Sequence, residues 1–137
     1  MASFNKFNSF VEAIAEKVHD LGSDTLTLAL TNSEPTAATD TQLSDISEIS
    51  YTYCSSRALT VASSAQTAGT YKLTINDITL TASGGSVGPF RYVVIYNDTA
   101  TNDELIGWYD YGSSITLNDG ETLDVDFDDS NGVLTIA

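Results

Sequence analysis

Residues 84–127 read GGSVGPFRYVVIYNDTATNDELIGWYDYGSSITLNDGETLDVDF, and they decide the fold. The stretch holds the single tryptophan, Trp108, and most of the tyrosines. Gly84-Gly85 and Gly88-Pro89 punctuate the backbone before a strand over Phe90–Tyr96. Asn97-Asp98 through Asn102-Asp103 form a polar loop. Leu105–Tyr111 is the next strand, and Gly112 separates it from a short strand over Ser114–Leu117. Asn118-Asp119-Gly120 is a turn. Glu121–Asp128 alternates, with Leu123, Val125 and Phe127 inward and Thr122, Asp124 and Asp126 outward. In RYVVIYN, Tyr92, Val94 and Tyr96 share one face while Val93 and Ile95 share the other. In IGWYDYG the same rule pairs Ile106 with Trp108, and Tyr109 with Tyr111. Large side chains on both faces predict strands buried on both sides, within a sandwich or against another subunit.

Working outward, Asn131-Gly132 is a hairpin signal that returns the chain into a last strand over Val133–Ala137. Upstream, residues 57–64 and 70–81 predict a strand pair turning at Ala68-Gly69. The inward set Tyr71, Leu73, Ile75 shifts phase to Ile78 and Leu80, so a bulge or tight bend is expected at Asn76-Asp77. DTLTLALT, residues 24–31, alternates Leu26, Leu28 and Leu30 against threonines and Ala29, as a half-buried strand does. Between these, residues 32–47 carry Pro35 and small polar residues, and read as a long loop with a short helical turn near Thr41–Ile46. Residues 48–56 alternate only weakly.

One helix is expected, over residues 8–21. Phe7, Phe10, Val11, Ile14, Ala15 and Val18 form an apolar stripe. Ser9 with Glu12 is a capping-box pair, Gly22 stands at a C-cap position, and Lys17 and His19 fall in the last turn. The expected fold is therefore all-β: an antiparallel β-sandwich, or flattened barrel, with one N-terminal α-helix packed against it. It is a single domain over 1–137, with the helix in 1–22 and the sandwich in 23–137.

Nineteen acidic residues against five lysines and arginines give a formal net charge of −14. No basic stripe exists to neutralise phosphates, so nucleic acid is not an expected partner. An anionic membrane surface is disfavoured for the same reason. Neither a signal peptide nor a membrane-spanning run is recognisable in the sequence. A single cysteine, Cys54, forms neither an intrachain disulfide nor a cysteine-based metal site, and reads as a small, partly buried residue.

Candidate chemistry is sparse. His19 is the only histidine; it reads as an exposed or rim residue rather than a general base. Asp124, Asp126 and Asp128 with Asn131-Gly132 resemble half of a calcium loop, but Asp129 stands where an EF-hand loop needs glycine. Alternate aspartates also protect a strand edge from unwanted pairing, and that reading is preferred. They stand as the weak metal candidates; no catalytic residue and no cofactor is expected. Arg57 and Arg91 read as internal partners for carboxylates.

Two blocks carry a family resemblance. The first is FNKFNSFVEAIAEKVHDLGSDTLTLALTNSEP, residues 4–35; the second runs from Gly84 to Ala137. A Phe-rich helix leading through His-x-Leu-Gly into a leucine strand, then Gly-Pro-Phe-Arg-Tyr, Tyr-Asn-Asp-Thr and Ile-Gly-Trp-Tyr-Asp-Tyr-Gly-Ser-Ser, resembles a family of tailed-bacteriophage virion proteins encoded with the head genes. The middle departs: relatives carry a longer Gly-rich loop near Ser50–Arg57. The resemblance implies a capsid decoration, or cement, protein on the outer surface of the head, made in the host cytoplasm. Its partner would be the major capsid protein, with a homo-oligomer expected and a trimer favoured. Candidate contact residues are Phe4, Phe7, Pro35, Tyr109 and Tyr111. The competing expectation is a carbohydrate-binding or other adhesion module of a tail or fibre, using an exposed tyrosine and tryptophan surface.

Overall fold

A computed structural model describes residues 2–137. Nine strands and one helix follow in the order β1 (Phe4–Lys6), α1 (Ser9–Ala15), β2 (Leu26–Thr31), β3 (Val61–Thr67), β4 (Thr70–Ile75), β5 (Ile78–Thr81), β6 (Val87–Asn97), β7 (Leu105–Leu117), β8 (Thr122–Val125) and β9 (Leu134–Ile136). All recorded strand pairings are antiparallel. The all-β expectation with a single helix holds.

The central sheet runs β1-β7-β6-β2. Against one face lies a divided second layer, the three-stranded β3-β4-β9 and the two-stranded β5-β8. Leu26, Leu28, Leu30, Val93, Ile95 and Ile106 of the central sheet meet Leu73, Ile75, Leu80, Val125 and Phe127 of that layer in one continuous core. The opposite face of the sheet carries a second core of Phe7, Ala29, Tyr92, Val94, Tyr96, Leu105 and Trp108. It is closed by Ile46, with Ala37 and Leu43 packed against it. The 32–47 segment thus roofs the second face; its short turn forms as a 3-10 turn at Leu43–Asp45, close to the place the sequence indicated.

This roof explains β2. The leucines face the first core, as the alternation requires, but Thr27 and Thr31 are buried as well. Thr31 is accommodated by donating to the Ser47 carbonyl at 2.6 Å and accepting from the Ser33 amide at 3.1 Å. The strand is not half-buried: every residue of Leu26–Thr31 is inside.

The helix departs most from expectation. It spans only Ser9–Ala15; Asn8 occupies the N-cap without a side-chain bond, so the Ser9–Glu12 capping box does not form. It ends well before Gly22. Lys17 adopts the left-handed conformation at φ 67° and the Val18 amide bonds the Ala13 carbonyl at 2.9 Å, a Schellman closure with lysine where glycine is usual. The apolar stripe is consequently broken. Phe7 and Phe10 are buried, in different cores, while Val11 is 53% exposed. No basic residue lies in the last helical turn. Nor is the N-terminal segment only a helix, since β1 pairs with β7 as an edge strand of the central sheet.

Several strand boundaries also move. β7 is one continuous strand from Leu105 to Leu117 rather than two. Leu105 and Gly107 oppose the adjacent residues Tyr96 and Ile95, so Ile106 bulges. The bulge sends Ile106 into the first core and Trp108 into the second, overturning their expected common face. At Asn76-Asp77 the chain leaves one sheet of the second layer and enters the other. The Asp77 carboxylate receives the Phe127 amide at 2.8 Å, tying that crossing to the end of β8. Asn131-Gly132 does not turn a hairpin: β8 pairs with β5, whereas β9 pairs with β4.

Candidate functional site

Residues 48–59 form no strand, yet they run along the free edge of β2. The Ile49 amide bonds the Leu30 carbonyl, the Leu28 amide bonds the Arg57 carbonyl, and the Leu59 amide bonds the Leu26 carbonyl, at 2.8–3.0 Å. Arg57 is drawn inward by this path. Its guanidinium lies over the Tyr51 ring, 3.5 Å from the centroid, and Nη1 donates to the Leu28 carbonyl. Tyr51 is itself locked, accepting from the Leu30 amide at 2.9 Å and donating to Glu48 at 2.7 Å. Burial pushes the Tyr51 phenol well above its ordinary pKa.

The result is a hollow beside the roof, lined by Thr27, Tyr51, Ser55, Ser56, Arg57, Tyr96 and Asp98, with Cys54 and Ala58. Burial also raises the Cys54 thiol, against the opposing effect of Arg57, so Cys54 stays protonated. The Thr27 hydroxyl is buried and has no hydrogen-bond partner. Arg57 departs from the expectation of an internal carboxylate partner. The one ion pair among the described residues is Arg91 with Asp110, which is bidentate at 2.8 and 3.0 Å. Arg91 thus fulfils its expected role and Arg57 does not.

The candidate contact residues separate into two groups. Phe7 is fully buried against Trp108, their rings 4.6 Å apart, and Pro35 and Tyr109 are buried too. These three have no side-chain surface to offer a partner in this conformation. Phe4 and Tyr111 are half-exposed. Phe4 leans on Tyr109 at 5.7 Å and crosses Gly107, where a Cβ would meet its ring at 2.2 Å. Tyr92, Tyr96 and Trp108 are likewise interior, so the aromatics do not form an exposed platform.

The acidic strand is not assembled as a ligand set. Asp124 accepts from the Thr79 hydroxyl at 2.6 Å. Asp128 takes the Ser130 and Asn131 amides and the Asn131 side chain, bonds that hold its carboxyl below the usual range. Asp126 faces a shallow hollow with Asp110, Asp124 and Tyr111. Among the described residues, no group of three His, Cys, Asp or Glu side chains is placed to hold a metal ion.

His19 is not a rim residue. It is 5% exposed, stacked on Phe10 at 5.4 Å, with Nδ1 3.0 Å from the Asn97 amide nitrogen. Asn97 Oδ1 accepts the Thr99 and Ala100 amides, which fixes the amide so that its nitrogen faces His19 and Asp24. Nδ1 is therefore an acceptor, and the imidazole proton sits on Nε2, which has no partner. The burial was concealed in the sequence because the helix expected to carry His19 ends four residues earlier.

Comparison with protein-family models, with curated proteins and with solved structures returned no match. Among the described residues, no helix is long and apolar enough to cross a membrane.

Proposed function

We propose that this chain is a structural protein of a tailed-phage virion, acting as a decoration protein on the outside of the head. The observation that carries the reading joins sequence to topology. The two blocks that resemble such proteins, residues 4–35 and 84–137, supply all four strands of the central sheet. β1 and β2 come from the first block and pair directly with β7 and β6 from the second. The departing middle supplies only the roof, the β2 edge cover and the strands β3, β4 and β5. What the resemblance covers is thus one continuous sheet, whose two faces are buried with help from the middle segment, suited to a rigid brick rather than a moving one.

In this reading the chain binds the major capsid protein through surface contacts, with no chemistry, and braces the shell. A homotrimer suits threefold and quasi-threefold lattice sites by avidity. The test is co-sedimentation of the purified chain with expanded, empty heads of the phage that encodes it, alongside light scattering of the free protein. Saturable binding is expected. A chain that stays in the supernatant at all concentrations, and is missing from mature particles, overturns the proposal.

A further inference from the structure

We propose that the hollow between β2 and residues 54–58 is a binding site for a carboxylate group, with Arg57 as its anchor. This stands on the hollow alone and holds whether or not the chain decorates a head.

The hollow gathers donors from Arg57, Ser55 and Ser56, with the Tyr96 phenol and the exposed Asp98 carboxylate as the acceptors beside them. Arg57 has five N–H groups in a planar fork. Nη1 is used on the Leu28 carbonyl and the Tyr96 phenol lies beside the guanidinium, but among the described residues no carboxylate forms an ion pair with it. Ser55 Oγ already accepts the Thr81 amide at 2.9 Å, and Ser56 Oγ the Ala58 amide at 3.3 Å. Each hydroxyl hydrogen is therefore free to donate into the hollow. The buried Thr27 hydroxyl beneath them also lacks a partner.

Arg57 is also pre-positioned. The Tyr51 ring beneath it and the Leu28 carbonyl behind it fix the plane of the fork, so little side-chain entropy is lost on binding. A planar, singly charged oxyanion matches that fork in the bidentate manner Arg91 shows with Asp110. Asp98 in the lining and the net charge of −14 oppose any anion, and oppose a doubly charged phosphate more strongly than a singly charged carboxylate. The carboxylate could belong to an aspartate or glutamate of another protein, or to an acidic sugar.

Two arginines make the test clean. In the 15N-labelled full chain, the Nε–H signals of Arg57 and Arg91 are followed by NMR during titration with sodium acetate, sodium glucuronate or acetyl-Gly-Glu-Gly-amide. Sodium chloride of equal ionic strength is the control. A saturable shift at Arg57 is expected, with Arg91, already paired, as the still reference. Arg57→Lys keeps the charge but loses the fork, and should weaken binding by about tenfold. Tighter saturation by glucuronate than by the peptide assigns a saccharide source, and the reverse assigns a protein source. Equal saturation by all three supports the site for the carboxylate group itself. An Arg57 signal that follows sodium chloride alone, or moves no more than Arg91, overturns the proposal without needing any variant to fold.

Discussion

The central strand β6 and the outer strand β3 are both β-strands in one small domain, and they obey different rules. From Tyr92 to Asn97 every residue of β6 is buried. Among the seven residues of β3 only Val61 and Ser64 are even half-buried. β6 has sheet on both sides, a layer below and the 32–47 roof above. β3 has a single neighbour, β4. Its small polar residues, with no large apolar side chain beyond Val61, leave an edge with little to recruit an unwanted strand. The contrast teaches that strand position, more than strand propensity, sets what a substitution costs here.

The largest effects should therefore come from the central sheet, and from both of its faces. Ile95→Ala opens the first core and Leu105→Ala the second; both side chains are fully buried. Each should cost about 2–5 kcal/mol in urea unfolding followed by circular dichroism. Ala65→Thr on β3 should stay within about 0.5 kcal/mol. If Leu105→Ala costs no more than Ala65→Thr, the second face is not a core and the comparison fails.

Next in size is the roof itself. Ile46→Ala removes the buried branched side chain with which the roof meets the second core and should cost about 2 kcal/mol. The same variant should speed amide exchange across residues 36–46 more than in β4, which lies on the other side of the sheet. Uniform acceleration would mean that the roof does not open separately.

Gly107→Ala sharpens the comparison at the other edge. The added Cβ would lie 2.2 Å from the Phe4 ring and 2.6 Å from the Asn5 carbonyl oxygen, so β1 must shift. A cost of about 1–3 kcal/mol is expected. Faster exchange of the Phe7 amide, which bonds the Ile106 carbonyl at 3.2 Å, should accompany it. An unchanged Phe7 amide would show that β1 is not held by this close approach.

The central sheet was legible in the sequence because its signals are local. Alternation in RYVVIYN and the leucines of β2 place side chains on faces correctly, whatever covers those faces. What covers them is not local. No pattern within residues 32–47 announces that Ile46 and Leu43 will seal a second core, since isolated apolar residues in a polar loop look the same with or without a partner. The bulge at Ile106 was hidden for a related reason: it depends on how β7 registers against β6, not on either strand alone. The helix was over-extended because the Phe7–Val18 stripe is genuine in composition, yet two of its members are claimed by different cores. Arg57 gave only its charge; its path under the β2 edge follows from backbone bonds that the sequence of residues 48–59 does not encode by periodicity.

The smallest expected effect is a slope rather than a step, and it tests the junction between the N-terminal segment and the end of β6. Desolvation holds the His19 pKa below its ordinary 6.5, against the raising influence of Glu104 and Asp24. The unfolded chain therefore takes up its proton first as the pH falls. Stability contributed by neutral His19 is complete above about pH 7, declines as pH drops through 6.5, and levels off below the folded-state pKa. Other groups act elsewhere or oppositely. Asp45, Asp110 and Asp128 are held below the usual carboxylate range and lose their contribution only in stronger acid. Relief of the net charge of −14 favours the folded state on acidification. The difference between the native chain and His19→Gln isolates the histidine. Urea midpoints between pH 7.5 and 5.5 should fall more steeply for the native chain than for the variant. The lone imidazole signal in NMR should titrate below 6.5. Parallel slopes with an imidazole titrating at or above 6.5 would mean that burial does not hold His19 neutral, and that the N-terminal segment sits more loosely on β6 than the buried ring implies.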